Sequence, residues 1–286
     1  MLPLESTKRL TRALQELGLI KKEGKGAFLV TEKGRLLQFK HPYSLAQATE
    51  LWAGEHQESW RNLIYSLQTQ SSAFKNKYGR AWFDWLAEHP DKHTQYHEVL
   101  KIYSSKDYEK LTSIIDFDQH RALLDLGGST GSLLLKILET HKKLKGILFD
   151  LPEVLEQVKI PRSIEGRLEL LGCNFFENWP SFSVDGALLA RILHDWSDEE
   201  AVKILKKVGS ALSAKKFSAV YIVENILDET TGRGSLLDLN MLVMTAGKER
   251  NIDQFRHILR EAGFVLTDIR PMNEVTSVLV ARKASN

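Results

Sequence analysis

Hydrophobic positions recur along this chain in two rhythms, and the change falls near residue 121. Before it, apolar residues keep helical spacing: Leu10, Ala13, Leu14 and Leu17 share one face of a helix predicted over 6–17, with Gly18 as its C-cap signal. A turn at 24–26, a strand-like run over 27–30 and a short helix over 32–37 capped by Thr31 follow. Residues 43–53, 57–68, 80–88, 94–104 and 107–115 read as further helices. Trp52, Trp60, Phe74, Trp82, Phe83 and Trp85 lie among them at helical intervals, a stripe that suits a core or a subunit interface before a wall for a flat substrate. After residue 121, short apolar runs alternate with helical patterns, the mark of a mostly parallel sheet. Strands are predicted at 122–126, 145–149, 167–171, 186–190 and 218–223. Two more, at 264–270 and 275–281, are joined by a turn at 271–273, which gives a seven-stranded sheet with a late reversal. Ser197 with Glu200, and Asn251 with Gln254, have the form of capping boxes that open helices to 212 and 262.

The first strand of this sheet runs into Gly127, Gly128 and Gly131, and then into an apolar, helix-like segment. The first amides of such a helix suit an anionic or carboxylate group. The glycines fall as G-G-x-x-G, not as the dinucleotide fingerprint G-x-G-x-x-G, and a glycine turn can also do no more than close a corner. Asp150 adds the second clue. It ends the next strand, 19 residues after Gly131, close to the spacing at which an acid meets a ribose hydroxyl pair. Together the two point to a nucleoside-containing cofactor.

A chain of 286 residues has room for two domains and a well-buried core. With 43% hydrophobic and 27% charged residues it has the composition of a soluble globular protein. A net charge of +2 gives no global pull toward nucleic acid or an anionic membrane. Cys173 is the single cysteine, which excludes an internal disulfide framework and a Cys-rich zinc site; it reads as a small packing residue. No apolar run approaches the roughly 18 residues needed to cross a bilayer, and no signal peptide opens the chain, so the cytoplasm is expected. The wing-like start raises a DNA-binding reading, with Lys8, Arg9, Arg12, Lys21, Lys22 and Lys25 on phosphates. Glu5, Glu16, Glu23 and Glu32 dilute that surface, and ordinary solvated positions are the better account. His89, His93 and His97 are four apart, but Pro90 marks a helix start that leaves His89 outside, and no partner has zinc spacing, so no metal is expected.

Five motifs then occur in order: Leu-Asp-Leu-Gly-Gly-Ser-Thr-Gly (124–131), Phe-Asp-Leu-Pro (149–152), Leu-His-Asp-Trp (193–196), Asp-Leu-Asn-Met-Leu (238–242) and Gly-Lys-Glu-Arg (247–250). Over nearly its whole length the chain resembles the S-adenosylmethionine-dependent O-methyltransferases that act on small molecules, such as the plant phenolic, hydroxyindole and bacterial polyketide enzymes. The resemblance implies an α/β protein with a class I methyltransferase, Rossmann-like seven-stranded sheet in 106–286. Residues 1–105 would form a partial winged-helix and helical dimerisation region, with the family's first winged-helix segments missing, in a homodimer that needs no metal. It implies that Asp125, Gly127, Gly128 and Gly131 serve the cofactor, the glycines facing its methionine part. Asp150 would bind the ribose, Leu151 would lie beside the adenine, and Phe175 would lie along the ring. Asn174, where the family usually has Asp, would meet the adenine amine. Ala190 stands where many relatives have a basic or polar cofactor contact, and Arg191 beside it is given that part. His194 would be the general base, Glu224 and Glu249 would orient it, and Asp195 would brace its loop. Asn240, Met241 and Met244 would touch the acceptor, a small aromatic hydroxyl compound, with S-adenosylhomocysteine as the other product. Two alternatives stay open: a non-catalytic cofactor-binding or winged-helix regulatory homologue, and the same fold with a changed reaction, against which His194, Glu224 and Glu249 argue.

Overall fold

The computed structural model describes residues 2–24, 26–107 and 110–284, without the side chains of residues 101 and 104–107. Lys25 therefore lies outside the described residues, as do 108 and 109 of the helix expected over 107–115, whose described remainder includes a helix at Leu111–Ile114. The chain opens with a helix, Leu4–Glu16, followed by an antiparallel hairpin of β1 (Ile20–Glu23) and β2 (Ala27–Val30). A short helix, Glu32–Arg35, comes next, and the Thr31 hydroxyl accepts from the Gly34 amide (3.1 Å) as its cap. No residue of the first helix is buried, and Leu4, Leu10, Leu17, Phe28 and Leu29 are exposed.

The helical stretch is more broken than its spacing suggests. Ala46–Leu51 passes through a π turn, Trp52–His56, into Gln57–Trp60, because Gly54 leaves helical dihedrals (φ −93°, ψ −117°). The expected 57–68 helix divides into Gln57–Trp60 and Leu63–Thr69, while the expected 94–104 helix is absorbed into Pro90–Asp107. Ala73–Tyr78, capped by Ser72, is too short to show a periodic stripe and was not expected. Phe74, Trp82 and Trp85 pack with Leu51, Leu86, Val99 and Met244 in one buried cluster, so this part of the aromatic stripe is core.

From Ala122 the strands pair as the apolar rhythm predicts. They are β3 (Ala122–Leu126), β4 (Lys145–Asp150), β5 (Leu168–Gly172), β6 (Gly186–Ala190), β7 (Ala219–Asn225), β8 (Phe264–Pro271) and β9 (Thr276–Lys283). Their order in the sheet is β5-β4-β3-β6-β7-β9-β8; all neighbours are parallel except β7–β9 and β8–β9. Alternate side chains serve two cores. Leu124, Leu126 and Leu189 join Ile204, Val208 and Ile258 from the helices Asp198–Ala211 and Ile252–Glu261. Leu123 and Leu188 join Leu134 and Ile137 from the helix Ser132–Thr140 on the other face. Both expected capping boxes are formed, at Ser197 and at Asn251.

One helix, Ser235–Met244, had no stripe to betray it, being apolar nearly all round. It lies between β7 and β8 in sequence and packs against the helices Gln57–Trp60 and Ala73–Tyr78. The Ser72 hydroxyl donates to its last carbonyls, at Val243 (3.2 Å) and Met244 (2.7 Å). This joint holds the N-terminal helices over the sheet. Since β3 has β4 on one side and β6 on the other, the strand order reverses there, the place where open α/β sheets take ligands in a crevice at the carboxyl ends of the strands. Among the described residues, no helix is long and apolar enough to cross a membrane.

Candidate active site

The glycine turn leaves β3 and lies directly on β4. A Cβ on Gly128 would sit 2.4 Å from both Leu148 Cδ1 and Asp125 Oδ2, so a side chain there would have to displace both. Asp125 is 1% exposed, and its Oδ2 has no hydrogen-bond partner. Burial, with the neighbouring Asp150 charge, pushes its pKa up to about 7. Asp150 accepts the Ser129 amide on Oδ2 (2.7 Å) and the Leu151 amide on Oδ1 (2.8 Å); burial still outweighs these bonds and raises it to about 6. A buried, orphaned carboxylate oxygen beside a second strained carboxylate fits a ligand that carries both a cation and hydroxyl groups. Phe175 leans over the start of the turn, its Cζ 3.0 Å from where a Gly127 Cβ would be. Asn174 is exposed and gives its oxygen to the Phe176 amide (2.9 Å), so that oxygen closes its own loop instead of waiting for an adenine amine. His97, read from the sequence only as one of three spaced histidines and given no part at the glycine turn, lies beside it. It reaches from Pro90–Asp107 to the Ser129 hydroxyl (2.5 Å) and, with its other nitrogen, to His93 (3.1 Å).

Across the crevice, the loop after β6 is held on two sides. Glu224, fully buried at the end of β7, accepts the amides of Ile192 (3.0 Å) and Leu193 (2.9 Å). Its other oxygen accepts from Arg191 Nη1 (3.1 Å). The Glu224 carboxylate thus fixes the backbone of the loop that carries His194, and it also lies within 4.8 Å of the ring. From the opposite side, the Lys248 amide donates to the His194 carbonyl (2.8 Å). The buried Arg250 donates to the carbonyls of Leu193 (2.6 Å) and Trp196 (2.8 Å) and to Asp198 Oδ1 (2.9 Å). A Cβ on Gly247 would fall 2.1 Å from the His194 carbonyl oxygen, so this approach needs glycine. Arg250 had been assigned no part, although its motif, 247–250, was the available signal.

His194 stands where these clamps meet. Its Nδ1 lies 3.4 Å from Glu249 Oε1 and its Nε2 3.5 Å from Asp195 Oδ2. Asp195 therefore faces the ring and does not merely brace the loop. Asp238 accepts the Glu249 amide (2.9 Å) and so places that acid. Arg191, expected at the cofactor, is turned to the acids instead: its guanidinium donates to Glu224 and to Glu249 Oε1 (2.7 Å). Burial and the Arg191 charge pull the His194 pKa down, but Asp195, Glu224 and Glu249 outweigh them and leave it raised. Burial would raise Glu249; its bond to His194 and the Arg191 charge overcome this and hold it well below the usual carboxylate range. Burial lifts Asp195 to about 6 against the pull of His194. The ligand atoms of His194, Glu224 and Glu249 lie within 4.8 Å of one another, a spacing a cation could use. The guanidinium of Arg191 already supplies that positive charge.

Comparison with known proteins decides the family. The family model of the O-methyltransferase domain matches residues 60–265. The chain belongs to the O-methyltransferase family. The enzyme is 29% identical over 280 residues to phenazine O-methyltransferase PhzM of Lysobacter antibioticus, covering 96% of this chain and 81% of that protein. Its fold matches the mitomycin 7-O-methyltransferase MmcR with a TM-score of 0.89 at 26% identity, covering 98% and 84% of the two chains. It also matches NcsB1, an O-methyltransferase from neocarzinostatin biosynthesis solved with S-adenosylmethionine and 2-hydroxy-5-methyl naphthoic acid, with a TM-score of 0.82 at 26% identity over 98% and 85% of the chains.

Of the expected acceptor contacts, Met244 is committed to the aromatic core of the enzyme, and Asn240 Oδ1 accepts the Trp60 indole N–H (3.0 Å). Met241, buried at 9% exposure, belongs to none of the three core clusters.

Asp125 makes a prediction of its own. Its folded pKa of about 7 exceeds the ordinary 3.8, so the native state holds more protons between these values. Its contribution is present below pH 3.8 and lost as pH rises through about 7. Asp125→Asn should flatten the fall in denaturant-measured stability across that window; an unaltered slope would contradict the assignment.

Proposed function

We propose that this enzyme transfers a methyl group to a hydroxyl of a small, flat aromatic acceptor, phenolic or polyketide-like, with His194 as the general base and without a metal. One observation carries the reading: an imidazole held between Glu249 and Asp195 stands at the switch point of the sheet, opposite a glycine turn backed by an orphaned carboxylate. PhzM, named for a phenazine, and NcsB1, solved with a naphthoic acid, support a flat aromatic acceptor. S-adenosylmethionine supplies an electrophilic methyl on a sulfonium sulfur and leaves as S-adenosylhomocysteine.

Asp125, Gly127, Gly128 and Gly131 would hold its methionine part, the unpartnered Asp125 oxygen suiting an ammonium group. Asp150 keeps a lone pair on each oxygen for the ribose hydroxyls, with Leu151 and Phe175 beside the base. Asn174 adds its amide at the loop edge. Met241, and Asn240 where its Trp60 bond leaves it a donor, would meet the acceptor.

His194 must remove the proton of an acceptor hydroxyl. A phenol titrates near 10 and an ordinary imidazole near 6.5, so transfer in advance is uphill by roughly 5 kcal/mol. The residues lower that cost in two ways. The acids around His194 strengthen it as a base, and Glu249 on Nδ1 leaves Nε2 to accept. As Nε2 takes the proton, Asp195 beside it stabilises the imidazolium. Positioning of the acceptor oxygen does much of the rest. Arg191 provides the positive charge that a metal would otherwise bring to Glu224 and Glu249.

Residues 106–286 would form the cofactor-binding domain, and residues 1–105 the partial winged-helix and helical region through which a cytoplasmic homodimer forms. The exposed Leu4, Leu10, Leu17, Phe28 and Leu29 support that face.

His194→Ala should leave calorimetric binding of S-adenosylhomocysteine intact while phenol methylation, followed by mass spectrometry, falls about 10²- to 10⁴-fold. Unchanged turnover would remove His194 from the mechanism. Wild-type rates should survive EDTA and rise with pH through a midpoint above 6.5, since the base works only when neutral. A midpoint below 6.5 would contradict this. Light scattering should give about twice the 32.6 kDa chain mass, and Phe28→Glu with Leu29→Glu should halve it.

A further inference from the structure

We infer that Arg191 is a positioning residue for the base: its guanidinium neutralises the two acids beside His194 and so keeps the imidazole free to accept a proton. The inference rests on the proposed role of His194. Three carboxylates surround that ring, from three elements: Asp195 on its own turn, Glu224 at the end of β7, and Glu249 after Ser235–Met244. Asp238 stands behind Glu249, bonded to its amide, and Arg250 is spent on backbone carbonyls and Asp198. From Pro90–Asp107, Tyr96 faces Asp195 and Arg191 with a phenol that burial keeps protonated. Among these groups, Arg191 alone carries a positive charge onto the acids of the histidine.

Left uncompensated, three carboxylates around one buried imidazole would favour imidazolium across the neutral range. A protonated His194 has no lone pair to offer. The forked guanidinium answers this by bonding Glu224 and Glu249 together, with Nη1 3.1 Å from one and Nη2 2.7 Å from the other. Its reach is built into the backbone. Arg191 has φ +59°, a left-handed conformation that side-chain-bearing residues rarely adopt, at the point where β6 turns into the loop. Such strain persists where the surroundings fix it, and here the surroundings are two carboxylates. Asn225 completes the arrangement, its amide oxygen, in the orientation that satisfies Thr276, accepting from Arg191 Nη1 (3.0 Å).

The test reads the histidine directly. In the full-length enzyme with ring-labelled histidine, NMR follows the His194 resonance with pH, identified by its loss in His194→Ala. In Arg191→Gln the midpoint should rise by about one pH unit, a tenfold change in proton affinity, and Arg191→Lys should restore most of it. Arg191→Gly removes the same charge but suits the left-handed backbone, so it gives the same reading if the Gln variant fails to fold. In the rate profile, the acid limb of kcat/KM should move up by the same amount, with KM for S-adenosylmethionine unchanged. A His194 midpoint that stays put or falls would overturn the inference. So would a raised KM for S-adenosylmethionine with a fixed midpoint, which would return Arg191 to the cofactor. The NMR midpoint needs neither donor nor acceptor, so it stands even if methyl transfer does not occur.

Discussion

One guanidinium shared by two buried carboxylates is the constraint on which the rest of the site depends. Glu224 and Glu249 come from opposite sides of the loop after β6, and Arg191 ties them together. Both acids are almost wholly buried, where an unpaired charge is costly; removing one partner of such a pair commonly costs about 3–5 kcal/mol. The pairing is therefore obligatory, and the loop it fixes carries His194. Arg250 repeats the device one layer deeper, spending its fork on the carbonyls of Leu193 and Trp196. Rigidity around His194 comes from charge satisfied inside the protein.

The sheet supplies the other half. Reversal of strand order at β3 sets the glycine turn and the histidine loop on the two lips of the switch point; Gly247 is pressed against the His194 backbone closely enough to demand glycine, and Gly128 lies against the Leu148 and Asp125 side chains. The two lips differ in charge balance. Asp125 and Asp150 are raised by burial, and among the described residues no cation pairs with either, which suits a positively charged ligand. Glu224 and Glu249 have theirs in Arg191. The site thus reserves unbalanced negative charge for the side where a sulfonium and an ammonium would lie.

Much of this was legible in the sequence, for reasons that differ by element. The strands declare themselves by short apolar runs, buried on both faces in the inner strands β3, β4, β6, β7 and β9 but not in the edge strands β5 and β8, and the capping boxes at Ser197 and Asn251 by spacing alone. Ser235–Met244 stayed hidden because a helix apolar on every side has no period to read. The motifs named His194, Glu249 and Asp150, and the fold places all three at the carboxyl ends of strands or in the loops beside them. They did not tell which atom meets which. Glu224 and Arg191 sit 33 positions apart, and only the parallel pairing of β6 with β7 makes them partners. His97 illustrates the same limit, since its place beside the glycine turn depends on how the N-terminal helices pack over the sheet.

A double-mutant cycle on Arg191→Gln and Glu249→Gln, read as unfolding free energy in denaturant, tests the shared pair most directly. The account predicts strong non-additivity, a coupling of about 1–3 kcal/mol, with the double variant losing far less than the two single losses together. Additive losses, within about 0.5 kcal/mol, would mean that the two side chains do not hold each other, and the account of this site would fail.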